Sequence, residues 1–311
     1  MMNPRKVILD CDPGHDDAIS LILAAANDKL KIEAITTVAG NVEVDKTTLN
    51  ALRVCDIIGL DVPVAEGSNR PMVNERQIAE SIHGDSGLDG PNLPEVPSRK
   101  AIDQHAVDLI IEKVLASDGD ITLVPTGPLT NIAMAMVKEP KIVPKIQEIV
   151  IMGGGTFGNW TPAAEFNIWV DAEAAKVVFE SGVPLAVFGL DVTHQAQATA
   201  ETIERFGKID TKVAEFVVEL LHFFKKTYKE VFDFDGAPIH DACTVAYLID
   251  PSIFEMKHVR VDIETKGEFA YGMTCVDLLS VTGREPNAYY GVGLQQEKFW
   301  DLLAEALASY K

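Results

Sequence analysis

Asp10, Asp12, Asp16 and Asp17 fall within eight residues near the start of the 311-residue chain, in the run Val7-Ile8-Leu9-Asp10-Cys11-Asp12-Pro13-Gly14-His15-Asp16-Asp17-Ala18. Two bare carboxylates about 4 Å apart repel by roughly 4 kcal/mol at an effective dielectric near 20. A cluster this dense requires a cation, shared protons or catalytic work to hold it. Oxygen ligands without accompanying thiolates suit calcium or magnesium better than zinc.

The elements that position these residues follow from the apolar pattern. Residues 7–12 predict a buried strand, Pro13-Gly14 a turn and 16–27 a helix, so the aspartates crowd one strand-to-helix corner. The alternation continues with strand 32–38, helix 44–58, helix 103–116, strand 120–124, helix 129–137, strand 146–152, helix 172–181 and strand 185–188. Near-continuous apolar strands joined through helices predict a parallel sheet covered on both faces. Beyond Asp191 the pattern is helical at 200–207, 212–231 and 239–248. Two strands follow at 259–265 and 269–275, read as a hairpin, then a last helix at 296–309. The polar stretch 66–98 is too long for a simple connector and reads as functional. The expected fold is α/β, an open, mostly parallel central sheet flanked by helices (Rossmann-like), with helical additions in the C-terminal half. It is read as one domain over 1–311.

In such sheets ligands bind outside the carboxyl ends of the strands. Past those ends stand Asn41, the run Pro125-Thr126-Gly127-Pro128, and Met152-Gly153-Gly154-Gly155 with Asn159, Glu165 and Asn167 further on. His240-Asp241 stands later, at the start of a predicted helix. Almost every group there is an oxygen donor or a neutral amide.

Lys and Arg number 27 against 47 Asp and Glu, a formal net charge of -20. That charge repels nucleic-acid backbones and anionic membranes, and leaves a neutral small molecule or a cation as the fitting partner. No stretch approaches the ~18 uninterrupted apolar residues of a membrane span. Met1-Met2-Asn3-Pro4-Arg5-Lys6 runs straight into a strand with no basic-then-apolar leader. Cys11, Cys55, Cys243 and Cys275 are scattered, and read as reduced thiols of a cytoplasmic protein.

Asp10-Cys11-Asp12-Pro13-Gly14-His15-Asp16-Asp17-Ala18 resembles the N-terminal fingerprint of the ribonucleoside hydrolases, the inosine-uridine preferring group. Further resemblances follow in order: Thr37-Val38-Ala39-Gly40-Asn41, His83-Gly84-Asp85-Ser86-Gly87-Leu88-Asp89-Gly90, Pro125-Thr126-Gly127-Pro128-Leu129-Thr130-Asn131, Met152-Gly153-Gly154-Gly155, Glu165-Phe166-Asn167 and His240-Asp241-Ala242. They cover residues 6 to about 300. The resemblance implies one calcium ion per subunit, held by Asp12, Asp17, Asp241 and the backbone carbonyl of Thr126. It also implies that Asp16, Asn41, Glu165 and Asn167 bind ribose hydroxyls, that Asn159 assists, and that Met152 packs nearby. His83 and Tyr228 fall on the nucleobase side. The family is commonly tetrameric and sometimes dimeric, which implies a homo-oligomer.

The chemistry agrees with that likeness. Cleaving an N-glycosidic bond builds positive charge on the ribose, which an anionic pocket stabilises more in the transition state than in the ground state. Asp12 is placed to take a proton from water as general base. His240, with an ordinary pKa near ~6.5, is the candidate acid for the leaving base.

Plainer readings attach to several of these residues. Asp10 reads as a turn brace bonding backbone amides; Asp12 or Asp17 could be helix caps, although capping accounts for one aspartate and not four. Asn41 fits a turn, Tyr228 and Phe224 fit helix packing, and His15, His105, His194, His222 and His258 carry no specific signal. Two rival functions compete. A magnesium-dependent phosphohydrolase also begins with a strand ending in Asp-x-Asp, but Pro13-Gly14 breaks its continuation. A non-catalytic nucleoside- or ribose-binding protein would not need both Asp12 and His240.

Overall fold

Alternate residues of the central strands point to opposite faces, and the sequence fills both sets with apolar side chains. Val7, Leu9, Cys11, Val124, Val150, Ala186 and Phe188 enter one core. Ile8, Leu123, Ile149, Ile151, Leu185 and Val187 enter the other. Each fully buried aliphatic side chain contributes roughly 1.5–3 kcal/mol, so the sheet holds helices on both sides. In this computed structural model, which describes residues 3–311, the first core carries the helices Val44–Ile58, Lys212–Phe232 and Gln296–Ser309. The second carries Ala106–Ala116, Thr130–Lys138 and Ala172–Phe179. Met1 and Met2, part of the run read as lacking a leader, lie outside the described residues.

The strands are β1 (Arg5–Cys11), β2 (Leu30–Thr37), β3 (Val64–Ala65), β4 (Ile121–Pro125), β5 (Ile146–Met152), β6 (Leu185–Phe188), β7 (Gln197–Ala198), β8 (Ala237–Pro238), β9 (Phe254–Ile263), β10 (Thr274–Asp277) and β11 (Ala288–Leu294). Nine of them form one sheet in the order β10-β9-β11-β6-β5-β4-β1-β2-β3, while β7 and β8 pair separately. All pairs from β3 to β11 are parallel, and Leu9 of β1 stands opposite Ile35 on one side and Val124 on the other. In this sheet β9 runs antiparallel to both its neighbours, β11 and β10, and β7 and β8 are also antiparallel to each other.

The expected open, mostly parallel sheet is therefore present, and most elements fall within a residue or two of their expected ends. The C-terminal third departs further. β11 was not expected: Gly291 and Gly293 interrupt its apolar pattern, and its register slips between them. The hairpin is real, but its strands lie at Phe254–Ile263 and Thr274–Asp277, not at 259–265 and 269–275. The helix expected at 239–248 spans Ala242–Ile249, with Asp241 as its N-cap, so His240 precedes it. The stretch 66–98 contains one short helix, Glu80–His83, and otherwise little regular structure. No helix among the described residues is long and apolar enough to cross a membrane.

Candidate active site

β1 lies between β2 and β4, and the order β3-β2-β1-β4-β5-β6 reverses direction there. Connections leave β1 and β4 toward opposite sides, opening a crevice at their carboxyl ends. The acidic corner sits in that crevice. Pro13-Gly14 turns the chain into the helix His15–Ala25, whose first turn carries Asp16 and Asp17. Gly14 N–H donates to Asp17 Oδ2 (3.0 Å), Thr126 Oγ1 donates to Asp17 Oδ1 (2.8 Å), and Asn41 Nδ2 donates to Oδ2 (3.2 Å). Asp17 is thus both a helix cap and a fixed member of the cluster.

Asp12 is held by one oxygen only. The Asn41 backbone N–H donates to Oδ2 (2.7 Å), while Oδ1 is buried with no hydrogen-bond partner. A Cβ on Gly40 or Gly127 would collide with these same carboxylate oxygens, which explains glycine after Ala39 and after Thr126. Asp16, Asp17 and Asp241 each bring an oxygen within 4.8 Å of the others. Burial and then the Asp17 charge push Asp12 well above the usual carboxylate range; burial and then Asp16 do the same to Asp241, and Asp16 is pushed up to about 8. Carboxylates that stay buried and anionic this close together need a counter-charge. The unpartnered Asp12 oxygen and the three converging carboxylates fit a hard divalent cation. The converging trio contains Asp16, where the family likeness names Asp12.

Asp10 stands apart. Thr36 Oγ1 (2.6 Å) and Asn131 Nδ2 (2.8 Å) donate to its Oδ1, so it ties β1 to β2 and to the helix Thr130–Lys138. It bonds side chains rather than the backbone amides expected, because a parallel strand already pairs those amides. Burial raises its pKa to about 7.

Beyond β5, Glu165 caps the helix Phe166–Val170 and accepts from the amides of Asn167 (3.0 Å), Ile168 (3.2 Å) and Gly154 (2.9 Å). Asn167 Nδ2 donates to the Thr126 carbonyl (2.8 Å) and lies 3.5 Å from Met152 Sδ. Asn159 Oδ1 accepts from Phe166 N–H (3.0 Å). These bonds fix the side chains against the β4 and β5 ends.

The opposite wall is aromatic. Tyr228, buried on the Lys212–Phe232 helix, has its hydroxyl 2.9 Å from His240 Nε2, and Thr193 Oγ1 lies 2.8 Å from Nδ1. Burial, then His194, drives the His240 pKa well below 6.5, so the expected ordinary value does not hold. The ring is a neutral link between two hydroxyls. His83, at the end of the short helix, meets Phe224 at 5.2 Å and is likewise neutral.

Every residue of the expected site except Asp17 borders one cavity of about 280 Å³. Ile82, Trp160, Phe166, Val231 and Phe232 border it too and were not singled out from the sequence. Trp160 stands beside the expected Asn159, and Phe166 lies inside the Glu165-Phe166-Asn167 motif, so that neighbourhood was the available signal. Thr193, bonded to His240, carried none.

The family model described as inosine-uridine preferring nucleoside hydrolase matches residues 7–301. The pyrimidine-specific ribonucleoside hydrolase RihA of Shewanella sp. strain MR-4 is 50% identical over 309 residues, covering 98% of this chain and 97% of that protein. Among solved structures, a plant nucleoside hydrolase, the PpNRh1 enzyme, superposes with a TM-score of 0.91 at 35% identity, covering 98% of this chain and 99% of the other. A purine-preferring ribonucleoside hydrolase from Gardnerella vaginalis gives 0.91 at 31% identity, covering 98% of each. An acidic crevice at the switch point of a doubly wound sheet, an aromatic wall opposite, and these likenesses lead to one assignment: the chain belongs to the inosine-uridine preferring nucleoside hydrolases and cleaves the N-glycosidic bond of ribonucleosides.

Proposed function

We propose that the protein hydrolyses pyrimidine ribonucleosides to ribose and free base with calcium as its cation. The observation that carries the reading is the polarity of the cavity. Carboxylates and amides gather at its floor, around Asp12, Asp16, Asn41 and Asp241, and aromatic and aliphatic groups at the other end, around His83, Phe224 and Tyr228. A sugar suits the first end and a flat base the second. A volume of about 280 Å³ is at the small end for ligand pockets, and a single-ring base is the better fit. The half-identical RihA relatives, named pyrimidine-specific, support the same choice.

Asp12, Asp17, Asp241 and the Thr126 carbonyl would hold the cation, with Asp16 beside them. Bound there, a calcium ion would supply the counter-charge and lower the pKa of a water. Asp12, whose carboxylate is held by the Asn41 amide alone, takes the proton of the attacking water. Asp16, Asn41, Glu165, Asn167 and Asn159 hold the ribose hydroxyls, and their anionic members stabilise the charge that develops on the sugar. His240 returns a proton toward the leaving base. Its ring lies in a hydrogen-bonded chain between the Tyr228 and Thr193 hydroxyls, and the proton passed along that chain to the base is replaced by one from solvent.

The protein acts as a single domain over 1–311, as a cytoplasmic homo-oligomer, tetrameric or dimeric. Ribose release from a panel of uridine, cytidine, inosine and adenosine tests the reading. Turnover of the pyrimidine nucleosides well above the purines is expected; equal or reversed preference would overturn it.

A further inference from the structure

Asn131 closes the motif Pro125-Thr126-Gly127-Pro128-Leu129-Thr130-Asn131, yet it does not border the cavity. It is wholly buried in the first turn of the helix Thr130–Lys138. Its side-chain amide makes three hydrogen bonds. Nδ2 donates to the Thr37 carbonyl (2.9 Å) and to Asp10 Oδ1 (2.8 Å), and Oδ1 accepts from the Ser68 backbone N–H (2.9 Å). A carbonyl can only accept and a backbone N–H can only donate, so a single orientation of the amide meets all three partners.

Those partners lie where the sheet runs out. β2 ends at Thr37 and β3 at Ala65, and the last paired residues of the two strands are Thr36 and Ala65. Past that point the Asn131 amide enters between Thr37 and Ser68. It takes the carbonyl of one and the N–H of the other, as a peptide of a neighbouring strand would. The Ala39 N–H then donates to the Ser68 carbonyl (3.0 Å) and resumes the ladder. Gly67 leaves room for this, because a Cβ there would meet the Thr37 carbonyl and both ends of the Asn131 amide. Two residues beyond Ala39, Asn41 donates its backbone N–H to Asp12 Oδ2 (2.7 Å), and its Nδ2 to the Asp12 carbonyl (3.0 Å) and Asp17 Oδ2 (3.2 Å). The segment 37–41 is thus tied at its base by Asn131 and at its tip to the acidic corner. Without the amide, the buried Thr37 carbonyl loses its partner and the strand end is free to shift.

We propose that Asn131 is a positioning residue of the active site: by completing the ladder between β2 and the chain after β3, it holds Asn41 where its backbone N–H orients the Asp12 carboxylate. The effect on turnover rests on the reading of Asp12 as the base that takes the proton of water; the link from Asn131 to Asn41 does not. A shift of about 1 Å in a reacting group costs up to about a hundredfold in rate. The loss falls mainly on kcat, because Asp16, Glu165 and Asn167 hold the substrate from other elements.

Uridine kinetics of Asn131→Ala, Asn131→Asp and Thr130→Val, with the melting temperature of each, test the proposal. Asn131→Ala removes the link and is expected to lower kcat about tenfold to a hundredfold while KM rises less. Asn131→Asp keeps an oxygen to accept from Ser68 and loses the donor to Thr37. Its kcat is expected between those of the parent and Asn131→Ala, and it decides the matter should the alanine variant not fold. Thr130→Val breaks the neighbouring bond to Asp171 at the same helix end, and is expected to lower the melting temperature with kcat unchanged. Parent-level kcat in the folded Asn131 variants, or an equal loss of kcat in Thr130→Val, would overturn the proposal. A crystal structure of Asn131→Ala, or of Asn131→Asp should the first not fold, reads the link without turnover. The bond from Asn41 N to Asp12 Oδ2 is expected to lengthen from 2.7 Å, and an unchanged bond would overturn the positioning role whatever the base is. A lengthened bond with parent-level kcat would trace the failure to the reading of Asp12 instead.

Discussion

Replacing Asp10 by asparagine separates the aspartate of the fingerprint that braces the fold from the acidic cluster of Asp12, Asp16 and Asp17. Asp10 is buried, its Oδ1 accepts from Thr36 and Asn131, and its Oδ2 has no partner. Its pKa of about 7 lies about 3 units above the ordinary 3.8, roughly 4 kcal/mol of differential interaction between the two protonation states. The folded state holds this proton more tightly than the unfolded chain does. The contribution is therefore complete below about pH 3.8 and is lost as pH rises through about 7, where the buried anion weighs against folding. Asn keeps an acceptor for Thr36 and Asn131 and carries no charge. Its NH2 takes the place of Oδ2 without a partner, which costs about 1–3 kcal/mol. Asp10→Asn is thus expected to be about 1–3 kcal/mol more stable than the parent at pH 8, and less stable by a similar amount near pH 4. Urea unfolding followed by circular dichroism at both pH values, under one metal condition, measures the difference. Turnover at neutral pH is expected to stay close to the parent's. A variant-minus-parent difference that is the same at pH 4 and pH 8 would refute the reasoning.

Other perturbations reach the cavity itself. Asp12→Asn is expected to lower kcat by about 10²–10⁴, the range for losing a general base, with the far-ultraviolet spectrum unchanged. Gly14→Ala has an ordinary backbone conformation and should fold, but its Cβ must displace the His83 ring and the Asn41 amide; a raised KM with little change in melting temperature is expected, and an unchanged KM would show that neither side chain holds substrate. Thr193→Val leaves His240 Nδ1 without its partner and is expected to slow the release of poor leaving groups more than good ones, read by comparing uridine with a nitrophenyl riboside. Removing the cation by chelation is expected to lower the melting temperature, since a ligand bound only by the native state stabilises it, and calcium should restore it.

Much of this arrangement was legible in the sequence because it depends on local pattern. Residues 7–12, 146–152 and 185–188 are short apolar runs bounded by turn residues, and they correspond to the buried parallel strands Arg5–Cys11, Ile146–Met152 and Leu185–Phe188. The polar residues just past those runs are the ones that meet in the crevice, since a parallel sheet gathers its strand ends at one edge. What escaped depends on long-range contact. β11 has glycines at 291 and 293 because its backbone packs closely against Val192 and Glu255, and those glycines erase the strand pattern. His240 keeps an ordinary pKa only if solvated, and no local pattern reveals that Tyr228, twelve residues earlier, and Thr193 enclose it. Asp171 was overlooked as well. It caps the helix Ala172–Phe179 and also accepts from Thr130 Oγ1 and the Met72 amide, bonds that join three distant segments. His15 looked idle for the same reason, because Asp89 and His83 reach it from a loop about 70 residues away.

The most direct test of the central claim is the rate of ribose release from uridine by the purified full chain, measured after exhaustive chelation and again after calcium is returned. The account predicts negligible release without a divalent cation and full recovery with calcium, together with free uracil in equal amount to ribose. Release at the same rate in the presence and absence of chelator would contradict it, as would tight binding of uridine with no free base formed when calcium is present.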